Sequence, residues 1–228
     1  MEGDGGEALR PVLAAVGLGL GVAAVWEPGA EPAGPAEAAA AASMPSRRRL
    51  EFLAGRRAAR RALRAVGLDC GEIPRAGRLP VFPPGRAASI SHSAGIAVAV
   101  ARAPGRDLPL GCDLELRPLP RAASRLVLRA DEEWLLDAGE CGDDGVPPGA
   151  RAGWSVTELF SAKEAAWKAL AVAAVGRGAE GAAGLRDLLA TPCERDLRVC
   201  RRAEPARAVR VRVVRVGAGV FSYVVGRV

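Results

Sequence analysis

Apolar positions along this chain recur with two periods, one near 3.6 residues and one of two, and each marks a different element. From Ser46 to Val66 the run SRRRLEFLAGRRAARRALRAV sets Leu50, Leu53, Ala54, Arg57, Leu63 and Val66 on one side of a helix; Arg47, Arg48, Arg49, Arg56, Arg60, Arg61 and Arg64 crowd the rest. A second helix is expected from Val156 to Ala174, a stretch without Pro or Gly. Ser155 or Thr157 can cap it, and Glu158 stands where a capping box places its acid. Leu119 to Gly139 reads as a third helix, and residues 27–45 as a loop leading into an Ala-rich helical segment. The period of two runs through Leu110 to Leu116, where alternate apolar residues flank Asp113 and Glu115 so that both carboxylates emerge on one face. Strands are also expected at Ser89 to His92 and Ile96 to Val100, with Gly95 allowing the turn between them, and at Asp196–Cys200, Ala208–Val216 and Gly219–Val225. The apolar run Val12 to Trp26 reads as buried strands joined by a glycine turn. It is shorter than the ~20 residues of a membrane span, and Glu2, Asp4 and Glu7 before it differ from a signal peptide's basic start.

The order strands, long helix, strands occurs twice, which predicts an α+β chain. With 228 residues, 50% of them hydrophobic, it forms one compact unit or two small lobes. A net charge of +6 favours anionic partners such as nucleotide phosphates, acidic proteins or nucleic acid. Aromatic residues make up only 4%, a poor supply of platforms for single-stranded nucleic acid. Cys70, Cys112, Cys141, Cys193 and Cys200 form no C-x-x-C pair and are joined by a single histidine, which argues against structural zinc and for reduced thiols in a cytoplasmic protein.

Among 32 basic side chains only Lys163 and Lys168 are lysine. Asn and Gln are absent altogether, so the chain carries a bias that uses Arg wherever Arg will serve, and the two lysines stand out. On a helix Glu164 and Lys168 lie one turn apart on one face, an arrangement equally at home on a solvated surface. Asp113 and Glu115 on one strand face offer hard oxygen ligands of the kind Mg²⁺ takes, or simply form the polar side of a half-exposed strand.

Taken together, Gly111-Cys112-Asp113-Leu114-Glu115 and Phe160-Ser161-Ala162-Lys163-Glu164-Ala165-Ala166-Trp167-Lys168 resemble the paired signatures of the 4′-phosphopantetheinyl transferase superfamily. A third match, Ala88-Ser89-Ile90-Ser91-His92-Ser93, resembles its larger single-chain branch, of the surfactin-synthetase-activating and enterobactin synthetase component D type. The resemblance implies two similar α/β lobes about a pseudo-twofold axis with the active site in the cleft between them. Residues 1–109 would form the first lobe and 110–228 the second. It implies transfer of the 4′-phosphopantetheine arm of coenzyme A to a serine of an acidic apo acyl or peptidyl carrier protein, releasing adenosine 3′,5′-bisphosphate, by a monomer without membrane or nucleic-acid partners.

By the same resemblance Asp113, Glu115 and Glu164 hold Mg²⁺ or Mn²⁺, and Glu164 is the base, directly or through a metal-bound water. Lys168 and Lys163 assist at the diphosphate, although Lys163 could instead pair with a carboxylate. Ser91 and His92 bind phosphate, while Arg48, Arg56, Arg60 and Arg78 bind coenzyme A. Glu132 is a candidate close to the metal. Cys112 should point away from the carboxylates into the core. Two other functions are open: a Mg²⁺-dependent nucleotide phosphohydrolase using the same carboxylates with water as nucleophile, or an Arg-rich nucleic-acid-binding module, which would need neither the lysine pair nor the carboxylates.

Overall fold

The computed structural model describes residues 4–77, 79–105, 109–136, 153–172 and 184–228. The chain is α+β, built on two antiparallel sheets that each carry a long helix. The first sheet comprises β1 (Leu18–Ala24), β4 (Ala88–Ser93) and β5 (Ile96–Arg102) in the order β1-β5-β4. The second comprises β6 (Cys112–Glu115), β7 (Leu188–Cys193), β8 (Asp196–Arg201), β9 (Glu204–Val216) and β10 (Gly219–Arg227), in the order β6-β10-β9-β8-β7. Within each sheet the first strand in sequence pairs with the last. A two-stranded hairpin of β2 (Arg75–Ala76) and β3 (Leu79–Pro80) stands apart.

The helix α3 (Ser46–Arg64) packs against β1 and β5 through a layer of small side chains. Along β5 alanines alternate with larger residues: Ala97, Ala99 and Ala101 meet Ala54, Ala58, Ala59 and Ala62, whereas Ile96, Val98 and Val100 turn the other way. Helix and strand therefore approach to backbone contact. A Cβ on Gly21 would fall against the Ala58 carbonyl oxygen, which is why β1 carries glycine there. The second sheet repeats the device, since a Cβ on Gly111 would meet the Ala165 carbonyl of α5 (Val156–Val172). The opposite face of the first sheet joins Leu9 and Leu13 of α1 (Asp4–Ala15), Cys112 and Leu114 of β6, and Phe221 and Tyr223 of β10 in a shared core. Cys112 is fully buried there, pointing away from the carboxylates as its place on the strand predicts. Leu159, Ala162 and Ala166 of α5 close a separate core against Leu197, Val199, Val209 and Val211.

Three expectations are corrected. The run from Val12 begins as the end of α1, and only Leu18–Ala24 is strand; Gly17, with φ of 75°, makes the turn between them. Leu119 to Gly139 is not one helix: Arg121–Ala123 and Ala130–Leu135 are 3₁₀ turns around α4 (Ser124–Val127), and Leu128 between them is extended. The arginines of β9 are not merely solvated, because Arg210 and Arg212 both pair with the buried Asp196 and Arg215 pairs with Glu158. The segment between Gly184 and Asp196 adds a strand, β7, that the sequence reading did not name. The loops expected at residues 139–153 and 176–184 fall almost wholly outside the described residues, as does Cys141. Among the described residues no helix is long and apolar enough to cross a membrane.

Candidate active site

The edge strands β4 and β6 lie side by side where the two sheets meet, and hydroxyl groups join them. On β4 the alternation Ser89, Ser91, Ser93 puts three serines on one face. Ser89 accepts a hydrogen bond from the Cys112 amide at 3.0 Å, and Ser93 accepts one from the Leu116 amide at 3.1 Å. Ser91 donates to Asp113 Oδ1 at 2.7 Å, and Ser93 to Glu115 Oε2 at 3.3 Å. Strand β4 thus supplies backbone partners and orienting donors to the carboxylates of β6.

Above β6 lies α5, held at its start by a reciprocal capping box: the Ser155 amide donates to Glu158 and the Glu158 amide to Ser155 Oγ. One face of the helix brings Lys168 to Asp113, with Nζ 2.8 Å from Oδ1 and 3.0 Å from the Cys112 carbonyl. Burial works against the ammonium charge, yet Asp113, Cys112 and Glu164 together outweigh it and raise the Lys168 pKa. Glu164, one turn earlier, is shifted upward chiefly by burial, with Lys168 opposing and Asp113 adding to the rise. Burial and then the Asp113 charge push Glu115 up to about 7. The Asp113 charge therefore disfavours ionisation of both Glu115 and Glu164, and the Lys168 ammonium opposes that effect at each.

The donor chemistry of this cluster matches a hard divalent cation. Asp113 Oδ2 is buried without a hydrogen-bond partner, an orphaned anionic oxygen of the kind a cation satisfies. Among the described residues no three acidic, thiol or imidazole side chains close on a single point. The carboxylates are grouped by charge, with Lys168 in contact with Asp113.

Residues 36–102, the stretch from α2 (Pro35–Ala42) to the end of β5 that includes the serine strand, match the 4′-phosphopantetheinyl transferase N-terminal domain family. The chain is also 34% identical over 129 residues to enterobactin synthase component D of Escherichia coli O157:H7, covering 54% of this chain and 55% of that protein. The Shigella flexneri protein of the same name gives the same figures, as does that of Escherichia coli strain K12. The chain is thus similar to a 4′-phosphopantetheinyl transferase N-terminal domain over residues 36–102 and to enterobactin synthase component D over about half its length. It spans about half the length of the curated relatives it matches.

In the structure the expected residues divide into two groups. Asp113, Glu115, Glu164, Lys168, Ser91 and His92 are brought to one region. His92 lies on the opposite face of β4 from Ser91, its Nε2 2.6 Å from Arg48 Nη1, and Glu51 reaches both from α3. Burial, with the charges of Arg48 and Lys168, lowers the His92 pKa against the pull of Glu51, so the neutral ring can accept from Arg48. Arg48 is half exposed at this edge.

The other group is engaged elsewhere. Lys163 is fully buried, donating to Glu132 and to the carbonyls of Val127 and Leu188; it pairs with a carboxylate and makes no contact with Asp113 or Glu115. Glu132 accordingly binds Lys163 and Arg202 instead of standing at the carboxylate cluster. Arg56 is buried with its cation 4.5 Å over the Phe52 ring, donating to the Ile73 and Pro74 carbonyls. Arg60 binds the fully buried Glu37 at 2.7 Å. Both arginines fasten α3 to its surroundings, whereas a coenzyme A contact was expected of them. Arg78 lies outside the described residues. Sequence reasoning missed Ser89, Ser93 and Glu51. The alternation of three serines was the available signal for the first two.

Proposed function

We propose that this protein moves the 4′-phosphopantetheine arm of coenzyme A onto a serine of an apo acyl or peptidyl carrier protein and releases adenosine 3′,5′-bisphosphate. The observation that carries the reading is the contact between two separate motifs: Ser91, within the region matched to the transferase N-terminal domain, donates to Asp113, and Lys168 holds the same carboxylate from α5. The two-lobe arrangement about a pseudo-twofold axis belongs to this proposal, supported by the same first-to-last strand pairing in both sheets.

In the reaction the carrier serine oxygen forms a bond to the phosphorus that bears pantetheine. The bond from that phosphorus to the bridging oxygen breaks, and the electron pair leaves with adenosine 3′,5′-bisphosphate. Glu164, one helical turn before Lys168, takes the serine proton. Lys168 contributes a fixed positive charge beside the diphosphate, and its bond to Asp113 keeps it in place. His92 and Arg48 lie at the exposed edge, where a phosphate of coenzyme A can receive their hydrogen bonds. Asp113, Glu115 and Glu164 are the residues that would hold Mg²⁺ or Mn²⁺. Such an ion would neutralise charge developing on the leaving oxygen.

Release of adenosine 3′,5′-bisphosphate, measured chromatographically with and without an apo carrier protein, tests this reading. Release that requires the carrier supports transfer. Release from coenzyme A alone would replace it with hydrolysis, and no release with either, together with salt-sensitive DNA or RNA affinity, would replace it with nucleic-acid binding.

A further inference from the structure

The Asp113 carboxylate has one satisfied oxygen and one that is not. Oδ1 accepts from Ser91 and Lys168, while Oδ2 is buried and lacks a partner. Directly opposite Asp113, in the antiparallel register of β10 on β6, stands Ser222. Residues paired in this way carry their side chains on the same face, with Cβ atoms about 4.5–5.5 Å apart. That face also holds Glu115 and looks toward α5, as Val224 two positions along β10 confirms by packing into the α5 core. Ser222 is fully buried, and its hydroxyl also lacks a partner. A buried carboxylate oxygen and a buried hydroxyl, both unmet, thus face each other across one strand pair.

We propose that Ser222 is a positioning residue of the active site: its hydroxyl donates to Asp113 Oδ2 and fixes the carboxylate from the side opposite Ser91. The inference rests on the proposed cation-binding role of Asp113. A hydrogen bond from Oγ to Oδ2 would satisfy both atoms and remove two desolvation costs at once. Ser91 of the first lobe, Lys168 of α5 and Ser222 of β10 then occupy three of the roughly four lone-pair positions of the carboxylate, leaving one for a cation. Asp113 becomes a ligand with a single permitted direction. The choice of serine at this site follows, since β10 is otherwise apolar on both sides of it: Phe221 and Tyr223 enter the shared core, and Val220 and Val224 are buried.

Mn²⁺ titration followed by electron paramagnetic resonance tests the role without requiring turnover. Ser222→Ala is expected to weaken Mn²⁺ binding about 10- to 100-fold, the usual effect of removing a group that orients a metal ligand, with an unchanged far-ultraviolet spectrum. Ser222→Cys keeps the side-chain volume but is a weak donor, so it should behave like Ser222→Ala, and Ser222→Thr should restore affinity. In turnover the Mg²⁺ concentration for half-maximal rate should rise more than kcat falls. Wild-type affinity in folded Ser222→Ala or Ser222→Cys would overturn the role of Ser222 alone. Absence of Mn²⁺ binding by the unaltered protein would overturn the cation site, and this inference with it.

Discussion

Lys163 and Lys168 are the chain's two lysines, and one helix sends them to opposite fates. Lys163 turns into the core and ties Glu132 and two carbonyls; Lys168 turns to Asp113. Lys163→Met should lower the melting temperature strongly, since breaking a buried pair from one side costs about 3–5 kcal/mol, while kcat per folded molecule is retained. Lys168→Arg should do the reverse: little change in melting temperature, and kcat down about 100-fold, the scale of a 1 Å displacement at a reacting group. Glu164→Gln keeps the shape of the side chain and removes the proton acceptor, so transfer should fall by about 10²–10⁴-fold with the fold intact. Scarcity made both lysines visible in the sequence. Which of them faces the carboxylates depends on how α5 lies across β6, and that is set by Gly111 and the Ala165 carbonyl, a contact that no periodicity encodes.

Elements with a single period and local caps were legible, and those shaped by tertiary partners were not. The capping box of α5 and the alternation of β6 are written in adjacent residues. By contrast, Arg121 to Leu135 has the composition of a helix, but Lys163 takes the Val127 carbonyl that a continuous helix would use internally, and Glu132 accepts from the Arg129 amide to restart the chain as a 3₁₀ turn. Val12 to Trp26 is apolar throughout, so hydrophobicity alone could not separate the end of α1 from β1. Pro192 obscured β7, which tolerates it as an edge strand of its sheet. Two tests belong to this scale. Gly111→Ala would push α5 away from β6 and should reduce both stability and transfer. Glu27 receives Arg61, the Ala24 amide and Arg57, joining the end of β1 to α3, and the Arg61 hydrogen bond leads in lowering its pKa from 4.5 to about 2. A lowered folded-state pKa stabilises above the unfolded value, so this contribution is complete above pH 4.5 and is lost as the pH falls toward 2. Glu27→Gln should therefore flatten the acid limb of a plot of stability against pH across that window.

At the scale of the molecule, the expected division at residue 109 runs through a common core: Leu9 of α1, Leu20 of β1 and Val98 and Val100 of β5 are buried together with Cys112 and Leu114 of β6 and Phe221 and Tyr223 of β10. The serine seam between β4 and β6 adds to the union. Unfolding should be a single cooperative transition, with far- and near-ultraviolet probes superimposing; two separated transitions would show lobes stable on their own. The positive charge is likewise committed to the fold. Arg56, Arg57, Arg60 and Arg61 of α3 and Arg210 and Arg212 of β9 are bound by buried or partly buried acceptors, which leaves Arg48 at the candidate site as the α3 arginine beside His92.

The central claim is tested most directly by the intact mass of an apo acyl or peptidyl carrier protein after incubation with this protein, coenzyme A and Mg²⁺. The account predicts that the carrier gains the mass of one phosphopantetheine arm, that a chelator prevents the gain, and that Glu164→Gln removes it. An unchanged carrier mass across both acyl and peptidyl carriers, with folded protein that binds coenzyme A, would contradict it.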